Sequence, residues 1–145
     1  MNNAYDKMIE LVRNKTGEIL PENVDAESVM QDETGYVFLK LAIAVKKDII
    51  TSAGYYASEE IPIDTAAAMA AVTQLMKDRA IMSAAMLTAD DIGNYLEFDE
   101  QLYNENGQAV KIAEIMLKEC LRNYSMKYNA LREERLRNKN TESSG

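Results

Sequence analysis

The chain has 145 residues, 24 acidic and 16 basic, for a net charge of −8, and 47% of it is hydrophobic. That is the size of one domain able to bury its own core, and its acidity excludes phosphate-backbone recognition, which needs clustered Lys and Arg. One cysteine and no histidine exclude an internal disulfide, metal centres built from several thiolates and imidazoles, and histidine-based proton transfer or nucleophile activation.

The first segment, Asn3 to Arg13, sets Tyr5, Met8, Ile9 and Val12 at helical spacing. Asp6 near its start and Arg13 at its end suit the helix dipole, so the spacing predicts a short amphipathic helix. Asn14 to Asn23 holds Gly17 and Pro21 and reads as a connection. Val24 to Gln31 is a weak strand candidate. From Val37 the pattern sharpens: Val37, Leu39, Leu41, Ile43 and Val45 alternate with Phe38, Lys40, Ala42 and Ala44, the period of a strand with one buried face. Lys46-Lys47-Asp48 is a polar turn, and Ile49 to Tyr56 continues with β-branched and aromatic residues, predicting an antiparallel hairpin.

After the hairpin the composition turns helical. Ser58 to Pro62 is a loop, with Pro62 or Asp64 able to start a helix. Ala66 to Lys77 is alanine-rich, with Ala68, Val72, Leu75 and Met76 on one face. Ile81 to Leu87 predicts one or two further turns. Thr88 and Asp91 resemble a capping box that opens a short helix through about Leu96. Phe98 to Gly107 is polar and reads as a surface loop. The last segment, Gln108 to about Arg137, repeats apolar residues at Ala109, Ala113, Met116, Leu117, Cys120, Leu121, Tyr124, Tyr128 and Leu131, a helical stripe. Beyond it the chain is charged and then Ser- and Asn-rich, a composition that frays. The expectation is one α+β domain over residues 1–131, a small three-stranded antiparallel sheet packed against helices with a long C-terminal helix, followed by a charged tail over 132–145.

This order of elements, with several local strings, resembles the iron–sulphur cluster assembly scaffold family, comprising IscU-like proteins and the N-terminal domain of NifU. Gly35 to Ala57 (GYVFLKLAIAVKKDIITSAGYYA) is similar to the family's two longer strands, and Glu22 to Thr34 (ENVDAESVMQDET) to its first strand and the following loop. Leu75 to Ile92 (LMKDRAIMSAAMLTADDI) resembles its middle helices. Ala109 to Leu117 (AVKIAEIML) resembles the stretch leading into its terminal helix. The resemblance spans about residues 5 to 130 and implies an iron–sulphur cluster, iron or zinc held by three cysteines with an aspartate or histidine nearby.

The chain departs from that pattern at each ligand. Thr34 stands at the first cysteine's place before Gly35, and Tyr36 replaces the aspartate after it. The second cysteine's place falls within Ala57-Ser58-Glu59-Glu60, with an apparent insertion before the helix. The His–Cys pair falls within Lys111 to Glu114, which holds neither residue. Cys120 lies too far along the helix to replace the pair, and its place on the apolar stripe favours packing over reactivity. Asp32, Glu33, Glu59, Glu60 and Glu114 lie near the ligand positions. Oxygen donors suit Mg²⁺ or Ca²⁺ better than iron–sulphur clusters, and solvated loop carboxylates are the simpler reading. Met69, Met76, Met82, Met86 and Met116 are core filling rather than an adaptable partner surface. Arg132, Arg135, Arg137 and Lys139, interrupted by Glu133 and Glu134, form a solvated helix end.

No residue is therefore expected to be catalytic, cofactor-binding or metal-binding, no cofactor is expected, and the chain is not expected to be an enzyme. The expectation is an accessory or interaction module of the scaffold family, with an unidentified protein partner. The alternative is a cluster scaffold or carrier using partner-supplied or oxygen ligands, and a small enzyme using paired carboxylates is a distant third. No apolar run reaches the roughly 18 residues of a membrane span, and the N-terminus lacks the apolar core of a secretory signal. With a single cysteine, the expected compartment is the reducing cytoplasm.

Overall fold

The computed structural model describes residues 3–143. The alternating segment forms β2 (Val37–Lys46) and pairs with β3 (Ile49–Ala57) in an antiparallel hairpin. Leu39, Leu41 and Ile43 lie opposite Ala57, Tyr55 and Ala53, so these residues share one face, and the three β2 residues are buried. The turn uses two residues with positive φ, Lys47 (52°) and Asp48 (65°), which matches the right-handed twist of the flanking strands.

The weak candidate before the hairpin is a strand, β1 (Ala26–Gln31), antiparallel to β2 and completing a sheet of order β1-β2-β3. It has few apolar residues because Ser28 occupies a buried position. Ser28 Oγ donates to the Met116 carbonyl at 2.7 Å, so the buried hydroxyl is satisfied and ties the strand to the last helix.

Helices cover one face of the sheet. α1 (Asn3–Arg13) buries Met8 and Leu11 against α2 (Ile63–Met76). The alanine-rich α2 departs from the single apolar face expected of it: Thr65 to Thr73 is buried on every side. It touches α1, β3, α4 and α6, and small side chains allow four neighbours to approach one helix. α3 (Ile81–Ala84) and α4 (Ala89–Tyr95) follow, and Asp91 Oδ2 accepts the Thr88 N–H at 2.8 Å at the start of α4. The polar stretch expected to be a loop contains α5 (Glu100–Glu105). Asp99 Oδ1 accepts the Leu102 N–H at 2.8 Å, which starts the helix and turns Leu102 into the core.

α6 (Gly107–Ser143) is the longest element. Its stripe from Ala109 to Leu121 is buried on β1, β2 and α2, whereas every side chain from Ser125 to Lys139 is exposed. The helix continues through Ser143, past the point where composition predicts fraying.

Both sheet edges are capped. Along β3 the Tyr55 N–H donates to the Gly17 carbonyl at 2.7 Å, and the Ile50 N–H to the Arg79 carbonyl at 2.9 Å. Along β1 two α6 side chains act, Asn123 Nδ2 on the Glu27 carbonyl (2.8 Å) and Lys127 Nζ on the Asp25 carbonyl (3.2 Å). Unpaired strand edges invite pairing with other chains, and these contacts close them.

Candidate functional site

Three segments converge at one end of the sheet: the β1–β2 turn, the β3–α2 turn and the start of α6. In the first, Asp32 Oδ1 accepts from Thr34 Oγ1 (2.6 Å), the Thr34 N–H (2.9 Å) and the Tyr36 N–H (3.0 Å). These donors hold the Asp32 carboxyl below its ordinary range, the Thr34 hydroxyl contributing most. Gly35, at φ +90°, supplies the left-handed residue that closes the turn. Thr34 and Asp32 therefore serve each other, and their polar atoms are engaged within the turn.

In the second segment the Ser58 N–H donates to the Phe38 carbonyl at 3.0 Å, and the Ile61 N–H to the Ser58 carbonyl at 3.1 Å. The Tyr36 phenol meets the Tyr56 phenol across the two turns. That hydrogen bond is the largest cause raising the Tyr36 hydroxyl above its ordinary pKa, with the Glu60 carboxylate adding to it. The Ser58 hydroxyl lies close enough to oppose this shift, yet it is buried without a hydrogen bond of normal geometry. Tyr55 is not part of the rim. Successive strand residues face opposite ways, so Tyr55 is fully buried in the core while Tyr36 and Tyr56 are about half exposed.

In the third segment Lys111 is exposed, Ile112 is half-buried and Ala113 is buried. The Glu114 carboxylate turns away from the other two segments and accepts the Ala89 N–H at the start of α4. Between the β3–α2 turn, the start of α6 and the adjoining strands lies a cavity of about 290 Å³ walled by Phe38, Leu39, Ile61, Pro62 and Ile112, with Asp64, Thr65 and Gln108 as its polar groups. Asp64 Oδ1 already accepts the Thr65 N–H at 2.8 Å. A wider cleft of about 510 Å³ lies between the end of α2, α3 and α4. Its cation, Arg79, is engaged by the Leu75 carbonyl (2.7 Å) and Ser83 Oγ (3.2 Å), and none of the three converging segments lines it.

The carboxylates singled out in the sequence are not brought together. Asp32 closes its own turn, Glu33 and Glu59 are exposed, Glu60 stands beside Tyr36 and Glu114 serves α4. Among the described residues no three of His, Cys, Asp and Glu are grouped so as to hold a metal ion. Cys120 is fully buried on α6, and burial pushes its thiol up to about 12. The donors around the cavity are the Thr65 hydroxyl, the Gln108 amide and the hydrogen-bonded Asp64 carboxylate, a set that does not fit iron or an iron–sulphur cluster. The cavity walls Ile61, Thr65 and Ile112 were not singled out from sequence. The one local signal for the first two was the apparent insertion after Ala57, which sets how the β3–α2 turn folds over Phe38.

No family model matches the chain, and a comparison with curated proteins finds no match. Among solved structures it is similar to a nitrogen-fixing NifU-like protein (N-terminal) from Brucella abortus, with a TM-score of 0.62 at 10% sequence identity, covering 86% of this chain and 96% of that one. At that identity the likeness is one of fold: a three-stranded antiparallel sheet covered by helices and closed by a long C-terminal helix, a NifU-like α+β architecture.

Proposed function

We propose that the chain uses the NifU-like fold without its ligand chemistry, as a non-catalytic accessory or interaction module related to iron–sulphur assembly. One observation carries this reading. Of the three segments that the family resemblance makes ligand-bearing, the β3–α2 turn and the start of α6 meet at a hydrocarbon-walled cavity whose polar groups are Asp64, Thr65 and Gln108, and the β1–β2 turn sets the Tyr36 phenol against Tyr56. A cluster there would leave iron to water and carboxylate oxygens, donors that favour harder ions. The Tyr36–Tyr56 pair supplies a half-exposed aromatic rim, a surface composition common at protein contacts.

Anaerobic incubation with ferrous iron and sulphide, followed by desalting, iron analysis and visible spectroscopy, tests the reading. The expected result is protein free of stoichiometric iron and without charge-transfer absorption. Stoichiometric iron with such absorption would overturn it and establish a cluster carrier that uses oxygen or partner-supplied ligands.

A further inference from the structure

Helices cover one face of the sheet, and a strap of chain crosses the other. The Gly17 carbonyl takes the Tyr55 N–H at the β3 edge. From there the chain passes over the sheet, where the Ile19 carbonyl fills the space that a side chain at Gly54 would need. Ala42, opposite Gly54, is fully buried beneath it. The strap ends at Asp25, whose N–H donates to the Ile43 carbonyl at 2.8 Å. Beside it the row Val29, Lys40 and Tyr56 runs across all three strands and faces the same way as Gly54, two residues from Tyr56. Ile19 is 86% exposed, Val29 and Tyr56 each 41%, and Tyr36 49%. These four side chains form an apolar patch on a face that no contact within the fold covers.

The net charge of the molecule is concentrated in the segments that build this face. Residues 18–36 and 56–60 hold eight of the 24 acidic residues and no Lys or Arg, so the other 16 acidic residues are balanced by all 16 basic ones. The cation in the row, Lys40, is already tied to Glu27 at 3.4 Å. Asp25 and Asp32 accept backbone N–H groups. Glu60 acts on the Tyr36 hydroxyl, and Glu22, Glu33 and Glu59 are exposed. An apolar centre within so one-sided a field calls for a partner that brings positive charge around apolar side chains.

We propose that this face docks a basic amphipathic helix of a partner protein, its apolar residues covering Ile19, Val29 and Tyr56 and one of its Arg or Lys side chains seated against the Tyr36 and Tyr56 rings beside Glu60. A helix fits because both strand edges are closed, which leaves no edge for an added strand and makes the open face the place for a peptide. A cation is drawn to tyrosine ring faces, and a guanidinium is the more weakly hydrated choice. The Ser58 hydroxyl, beside Tyr36, is buried without a hydrogen bond of normal geometry, so its oxygen is an unused acceptor at the same spot. The chain's own basic helix end is a poorer match, since Glu133 and Glu134 interrupt its cations. The proposal rests on the reading of the chain as an interaction module, to which it adds the face and the chemistry of the partner.

A synthetic helical peptide with Leu on one face and Arg on the other, titrated into the iron-free, nitrogen-15-labelled full chain, tests it by amide chemical shifts. The shifts should concentrate at Ile19, Leu20, Val29, Tyr36 and Tyr56, and binding should weaken as salt rises. The same peptide with Gln in place of Arg, or with its order scrambled, should bind at least about tenfold more weakly. Tyr56→Ala and Val29→Arg, both at exposed positions, should each weaken binding about tenfold while the amide spectrum of the sheet persists. Glu60→Gln should weaken it about threefold, and Glu100→Gln on α5 should leave it unchanged. Shifts centred on another face, equal binding of the Gln peptide, indifference to Tyr56→Ala (which leaves every charge in place), or self-association of the free chain through these residues would each overturn the proposal. Stoichiometric iron in the reconstitution counts against the functional reading, whereas absent peptide binding by iron-free protein counts against this surface alone, so the two failures are told apart.

Discussion

Cys120 occupies the core face of α6, and its thiol is raised from 9.0 to about 12 by burial first and by the Glu27 carboxylate second. A shift of that size lowers the thiolate fraction near pH 8 by about 1,000-fold, and the thiolate is the reacting species. Iodoacetamide followed by mass spectrometry should leave native protein unmodified and label it fully in guanidinium. Native labelling at the unfolded rate would show that the helix does not bury this residue. The same shift links to stability. The unfolded thiol loses its proton from about pH 9 while the folded one keeps it to about 12, so the unfolded state binds fewer protons in that window. The contribution is complete below pH 9 and lost as pH rises through 12. Cys120→Ala should therefore show a shallower alkaline fall in melting temperature than the parent. The packing role was legible in the sequence because Met116 and Tyr124 lie one turn to either side. The fate of the three tyrosines was not. A strand sends neighbours to opposite faces, so Tyr36 and Tyr56 pair at the rim while Tyr55 enters the core.

At the scale of elements, legibility followed how many apolar residues a segment must bury. The β2–β3 hairpin declares itself by alternation, and α1 by its helical spacing. β1 is faint because one of its inward positions is Ser28, whose hydroxyl is satisfied by a carbonyl 88 residues away. α5 reads as a loop in the sequence because a six-residue helix that buries only Leu102 shows little periodicity. The pattern of α2 implies a helix with a narrower buried face than it has. Alanine gives no sign of which sides will be covered, and here all of them are. That packing makes a strong prediction. Ala71→Leu places three extra carbons where α2 has no exposed surface, and overpacking of this kind costs about 1–3 kcal/mol. Urea unfolding should show a lower midpoint with unchanged slope; an unchanged midpoint would mean the helix has a free side.

Over the whole molecule, the family resemblance marks the three segments of the candidate site but says nothing of the walls of the cavity beside them. Thr34, Ser58 and the Lys111–Glu114 stretch stand where the resemblance places the family's ligands. The cavity depends instead on Ile61 and Ile112 meeting Phe38 across 23 and 74 residues of chain, contacts with no short-range signature. The end of α6 is charge-rich, and its side chains from Ser125 to Lys139 are exposed, as suits a helix end with no core to join. A chain ending at Leu131 keeps the whole buried stripe of α6 and both caps on the β1 edge, Asn123 and Lys127. It loses only residues whose described side chains are exposed, and surface deletions of this kind change stability by about 0.5 kcal/mol or less. Full-length and shortened chains should share one urea midpoint while the shortened chain loses helical ellipticity. A deficit above about 1 kcal/mol would place part of the core beyond Leu131.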